Sequence, residues 1–308
     1  MNFFKSQDQA RHNTGRLVVL FSLAVISLIV MTNLLVMFVF GYVKLEHTGS
    51  INTGLWIREI DWQVFLVIGA AVTITIALGS LYKILALAGG GARVAEMLDA
   101  ELVVNGGNDF RRQRLLNVVE EMAIASGTPV PPVYLLDEDG INAFAAGYKP
   151  GDAVIGVTRG AIEKLGREQL QGVIAHEFSH ILNGDMKLNI RLIGLLHGIL
   201  LIGLIGYYIL RSTSHSRRSR ESGGAAILGM GLVVIGYAGT FFGNLIKAAV
   251  SRQREFLADA SAVQFTRNTD GIAGALKRIG GDATGSIIEN PSGAQISHAL
   301  FSQGMKTW

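Results

Sequence analysis

The chain has 308 residues, of which 49% are hydrophobic and only 17% charged, with a formal net charge of +3. This composition excludes an ordinary soluble enzyme and makes the bilayer the first surrounding to consider. The Lys and Arg residues lie beside apolar runs and not in one aromatic-interleaved patch, which argues against a nucleic-acid partner.

Leu17 to Val43 holds no charged residue. A bilayer core needs about 20 apolar residues in a helix, so this segment is predicted to span, and its apolar run is far longer than that of a cleaved signal. Val64 to Tyr82 is a second predicted span, preceded by Trp56 and Trp62 where interfacial aromatics are expected. Gly89-Gly90-Gly91 lacks the strand and helix context of a phosphate loop and reads as a hinge. Next comes the one strongly globular block, Arg93 to Lys187. Phe110 to Ala125 shows helical spacing of Leu115, Val118, Val119 and Met122; Val133 to Leu136 and Ala153 to Val157 read as short strands; Arg159 to Leu165 and Glu168 to Leu182 read as helices. Leu192 to Leu210 and Ser222 to Ile246 are two further apolar segments joined by the short polar stretch Arg211 to Glu221. A helix is expected to run on from Lys247 to about Thr266, another over Gly271 to Ile279, and the tail from Gly280 is rich in Gly, Ser and Asn. His197, in the third apolar segment, reads as a neutral imidazole bonded to a neighbouring helix.

The predicted fold is therefore membrane α-helical plus α+β. Residues 1–92 form an N-terminal transmembrane hairpin and 93–188 the first part of a catalytic domain; residues 189–250 form a second hairpin and 251–308 the second part. Lys5, Arg11 and Arg16 place the N-terminus, and with it both polar blocks, in the cytoplasm. Arg211, Arg217, Arg218 and Arg220 in the connecting loop run against that charge rule, so the second hairpin either crosses fully or dips into the membrane.

The chemistry is concentrated in His176-Glu177-Phe178-Ser179-His180. Residues four apart share one helix face, so His176 and His180 can offer two imidazoles to a single ion, while Glu177, about 100° round, can act as general base toward a water activated there. No cysteine occurs, so any metal must use His and carboxylate, and one zinc ion per chain suits such donors. Downstream, Arg254-Glu255-Phe256-Leu257-Ala258-Asp259 puts Glu255 and Asp259 one turn apart. Glu255 can be a third ligand, and Asp259 can accept the second N–H of a ligating histidine. Asp185, in Asn183-Gly184-Asp185, can reach the rim of the site, but a helix-end or hinge role is the stronger reading.

The two motifs, with an apolar hairpin between them, resemble the HtpX-type heat-shock membrane proteases, relatives of the CaaX prenyl-protein endopeptidases among the gluzincins. The resemblance implies a zincin-like, mostly helical catalytic domain with a small sheet, zinc on His176, His180 and Glu255, Glu177 as catalytic base and Asp259 as an outer support. It also implies that Asn142-Ala143-Phe144-Ala145, continued by Ala146-Gly147, is an edge strand pairing with substrate backbone. The expected activity is endopeptidase cleavage of misfolded or membrane-associated polypeptides at the cytosolic side of a bacterial plasma membrane. Processing of lipidated C-terminal peptides and a catalytically silent membrane scaffold are the rival readings. Family members continue with a His-Pro segment and an Arg implied to hold the oxyanion. This sequence ends at Lys306-Thr307-Trp308 before such a motif and reads as truncated, and His298 reads as a surface residue.

Overall fold

The structure, a computed structural model, describes residues 3–48, 62–87, 89–215, 222–290 and 300–301. Trp56, Arg217, Arg218, Arg220, His298 and residues 306–308 lie outside them. Two compact units are present. The chain passes between them after Thr14, Ala86, Ile190 and Val250.

One unit is built from four long helices: α1 (Phe3–Thr48), α2 (Trp62–Leu87), α7 (Asp185–His215) and α8 (Ser222–Thr266). By length and composition all four qualify as membrane spans, within Gln7–Val39, Gln63–Leu87, Asp185–Thr213 and Gly223–Thr266. They meet around Leu28, Val72, Ile76, Ile199, Ile202 and Leu232. Leu23, Leu66, Val67 and Phe241 face outward and are exposed, the distribution expected where hydrocarbon replaces water. At Gly203 and Gly236 the backbones of α7 and α8 touch, and a Cβ on Gly236 would lie 2.3 Å from the Gly203 nitrogen. The His197 ring faces Tyr82, their centroids 6.2 Å apart.

The other unit carries a four-stranded sheet in the order β1-β2-β4-β3, from β1 (Glu101–Leu102), β2 (Val133–Leu136), β3 (Ala143–Ala146) and β4 (Val154–Thr158). β2 and β4 run parallel and the other pairs antiparallel. Every residue of β2, β3 and β4 is buried, as apolar runs without alternation require. The helices are α3 (Gly90–Met97), α4 (Phe110–Ser126), α5 (Arg159–Lys164), α6 (Arg167–Asn183) and α9 (Thr269–Gly281), joined by the ends of α1, α7 and α8. The glycine run thus opens α3, and β1 and α3 are additions to the elements expected from sequence. Asp109 caps α4 by accepting from the Arg111 N–H at 2.8 Å. Leu115, Val118, Val119 and Met122 line its buried stripe. The start of α1 joins this unit through Gln7, which donates to Gln264 at 2.7 Å, and Asn13, which donates to Gln253 at 3.2 Å.

α6 packs between α4, α9 and β3. Leu170, Ile174 and Phe178 are fully buried on it, each contributing about 1.5–3 kcal/mol and together fixing its rotation. The contact with α9 is made backbone to backbone: a Cβ on Gly172 would lie 2.5 Å from the Ile272 nitrogen and 2.8 Å from the Gly271 carbonyl carbon. Neither atom can rotate away, so Gly172→Ala is expected to destabilise the protein by about 1–3 kcal/mol, read as a lower thermal midpoint.

Candidate metal centre

α6 places His176 and His180 on one face, one turn apart, with their ring Nε2 atoms 3.1 Å from each other. The C-terminal third of α8 brings Glu255 to them: its Oε2 lies 3.2 Å from His176 Nε2 and 4.0 Å from His180 Nε2. One turn on, Asp259 Oδ1 lies 3.0 Å from His176 Nδ1. On the other histidine, Asp185 Oδ2 lies 2.8 Å from His180 Nδ1. Both Nδ1 atoms therefore donate to carboxylates, which leaves both Nε2 atoms as electron-pair donors aimed at the same point as Glu255.

Three such donors crowded together repel one another unless a positive charge sits among them. A proton is one solution. Burial pulls the His176 pKa down, but the Asp259 and Glu255 carboxylates outweigh it and raise it to about 10. His180, buried and next to that charge, is pushed below its ordinary value. A divalent metal is the other solution. Tetrahedral donors about 2.0–2.1 Å from zinc stand about 3.3 Å apart; the observed 3.1 and 3.2 Å match, and the 4.0 Å between Glu255 and His180 is the one longer separation. Among the described residues His176, His180 and Glu255 form the group able to hold a metal. Because His176 carries its proton at neutral pH and must release it to ligate, zinc uptake at pH 7 is expected to free about one proton per ion and to weaken as pH falls. Calorimetry in buffers of different ionisation heat measures that release.

Glu177 is 1% exposed, and neither carboxylate oxygen has a well-formed hydrogen bond. Burial raises its pKa against the pull of the two histidines. A buried carboxylate beside a cation site, with only the Ala145 N–H turned toward it, is poised to take up a proton.

The edge strand β3 offers backbone only, since Ala143, Phe144 and Ala145 are buried. Asn142, expected to touch substrate, turns its side chain inward. Its Nδ2 donates to the Ser286 carbonyl at 2.8 Å and its Oδ1 accepts from the Ala143 N–H at 3.0 Å, holding the start of the strand. Along the free edge of β3 lies the chain's own Leu300–Phe301. Leu300 pairs antiparallel with Phe144, and the Phe301 N–H donates to the Ala143 carbonyl at 2.9 Å. The Phe301 ring stands edge-on to His176 with centroids 5.0 Å apart.

Asp185 takes both of the places that the sequence left open to it. Gly184, in the left-handed region at φ 66°, ends α6, and Asp185 opens α7 with its Oδ2 2.8 Å from His180 Nδ1. The position is a helix end and also lies at the site, where its partner, His180, was not foreseen. The available signal was that a ligating histidine needs an acceptor for its second N–H, and Asp185 lies five residues beyond His180.

The profile of peptidase family M48 matches residues 109–301. A Protease HtpX homolog of Dictyoglomus turgidum is 42% identical over 165 residues, 54% of this chain and 53% of its own length. One from Bacteroides fragilis is 36% identical over 189 residues, 60% of this chain and 58% of its own length. One from Streptococcus uberis is 32% identical over 246 residues, 75% of this chain and 81% of its own length. The chain thus spans little more than half the length of the first two relatives and most of the third.

Proposed function

Because the chain belongs to peptidase family M48, we propose that it is a membrane-embedded zinc endopeptidase whose metal is held by His176, His180 and Glu255. The observation that carries this reading is the meeting of three donor atoms from two helices, within 4.8 Å, beside the buried carboxylate of Glu177. Zinc bound there would polarise a peptide carbonyl and lower the pKa of water to about 7. The protein's own residues do the rest. Glu177 accepts the proton of the attacking water and returns it to the leaving amine. Asp259 and Asp185 hold the two imidazoles in the tautomer that ligates.

Substrates are polypeptides bound in extended form along β3, through main-chain bonds that leave sequence preference broad. The support is the seat of Leu300–Phe301, which uses the Ala143 carbonyl as a substrate strand would. The four apolar helices form two hairpins in the inner membrane of a bacterium, with 93–188 and 251–308 as the two parts of the catalytic domain in the cytoplasm. Misfolded membrane proteins are the natural substrates of such an arrangement.

Metal analysis of the detergent-solubilised protein, paired with cleavage of an unfolded casein-type substrate, tests the assignment. About one zinc per chain is expected, with cleavage lost on chelation and regained on adding zinc. A metal-replete protein that cuts no unfolded polypeptide would overturn the broad endopeptidase reading in favour of the scaffold or of a protease confined to lipidated C-terminal peptides.

A further inference from the structure

Arg254 stands next to the ligand Glu255 on α8, yet it reaches away from the metal donors to the end of α6. There its guanidinium pairs with Asp185 and donates to the Asn183 carbonyl at 3.0 Å. That carbonyl belongs to the last turn of α6, whose acceptors have no partner within the helix. Both members of the ion pair are largely buried, with 13% of the Arg254 side chain and 11% of the Asp185 side chain exposed. The second oxygen of Asp185 accepts from His180. One carboxylate therefore joins a metal-ligating imidazole on α6 to the residue preceding the third ligand on α8.

A buried ion pair is poor evidence of stabilisation, because desolvating two charges offsets most of their attraction; its best-attested use is to fix register. The metal donors need such a device. His176 and His180 come from one rigid helix and keep their spacing unaided, whereas Glu255 arrives on another helix and is itself 48% exposed. A rotation of α8 by one residue, about 100°, would carry Glu255 off the imidazoles. We propose that the Asp185–Arg254 pair is a positioning device that couples the orientation of His180 to the rotation of α8, so that the three donors converge only when the pair is made. The inference rests on the metal-centre reading above.

The test is zinc affinity by chelator competition on the full chain in detergent, set beside thermal unfolding of the zinc-free protein. Asp185→Asn keeps the shape but loses the charge, and is expected to weaken zinc binding about 10–100-fold, the usual cost of losing an outer partner of a ligand. Since that variant leaves Arg254 buried without a counter-ion and can fail to fold, Asp185→Leu combined with Arg254→Met is the second arm. It replaces the pair by apolar side chains that a buried site accepts. The zinc-free double variant is expected to melt near the wild type, yet to bind zinc about 10–100-fold more weakly. Wild-type affinity in the folded double variant would overturn the proposal, and so would loss of folding in it, which would make the pair structural. Wild-type protein that binds no zinc in the same titration would instead remove the metal-centre reading.

Discussion

Glu177→Gln is expected to reduce peptide cleavage by about 10²–10⁴-fold, the range a general base contributes, while zinc content stays at the wild-type level. The substitution is nearly isosteric in a site that is 1% exposed, so packing against α6's neighbours is preserved. What disappears is basicity. In the folded protein the carboxylate oxygens lack well-formed hydrogen bonds, and burial raises their proton affinity. An amide takes up no proton at any working pH, so the attacking water keeps its proton and the leaving amine receives none. Folding should not suffer, because an unpaired buried carboxylate costs more than an unpaired amide. Single-turnover cleavage by zinc-loaded protein measures the effect. A variant retaining more than a tenth of wild-type activity would take Glu177 out of the chemistry.

Much of this site could be read from the chain because its decisive spacing is local. Two imidazoles four residues apart share a face of any α-helix, and the stripe of Leu115, Val118, Val119 and Met122 announces α4 in the same way. β2 and β4 were visible as short apolar runs between chain breakers, and the long apolar helices by length alone. What could not be read depends on where distant segments return. β1 has two residues and exists only through its pairing with Tyr134 and Leu135, so it leaves no periodicity to detect. The seat of Leu300–Phe301 on β3 joins positions more than 150 apart through backbone atoms, which no side-chain pattern encodes. Asp185 was visible as a residue near the site but not as the partner of His180. Its role follows from one left-handed glycine, which ends α6 and lets α7 begin with a carboxylate 2.8 Å from His180 Nδ1. Arg254 carried no role in the sequence reading; its pairing with Asp185 appears only once α8 is packed.

Glu255→Ala is expected to cost more zinc affinity than any change to Asp259 or Asp185. Those two residues hold the imidazoles in place, and losing such a partner weakens binding about 10–100-fold. Glu255 is different: it supplies the one anionic donor and the one donor from outside α6. Without it, two neutral imidazoles 3.1 Å apart are left to hold a dication, with nothing on the opposite side to close the coordination. The fold has little stake in the change. The side chain is 48% exposed, so truncation leaves no large cavity, and the protonated His176 of the zinc-free protein loses one carboxylate but keeps Asp259; the zinc-free variant should unfold within about 1.5 kcal/mol of the zinc-free wild type. Affinity and folding therefore separate at this position, as they would not at a core residue such as Leu257, two residues on along the same helix and fully buried. Chelator competition and zinc-free melting, run on the same preparation, give both numbers. A Glu255→Ala protein that binds zinc within tenfold of wild type would mean that the metal has its third protein donor elsewhere, and the convergence of α6 and α8 would then need another purpose.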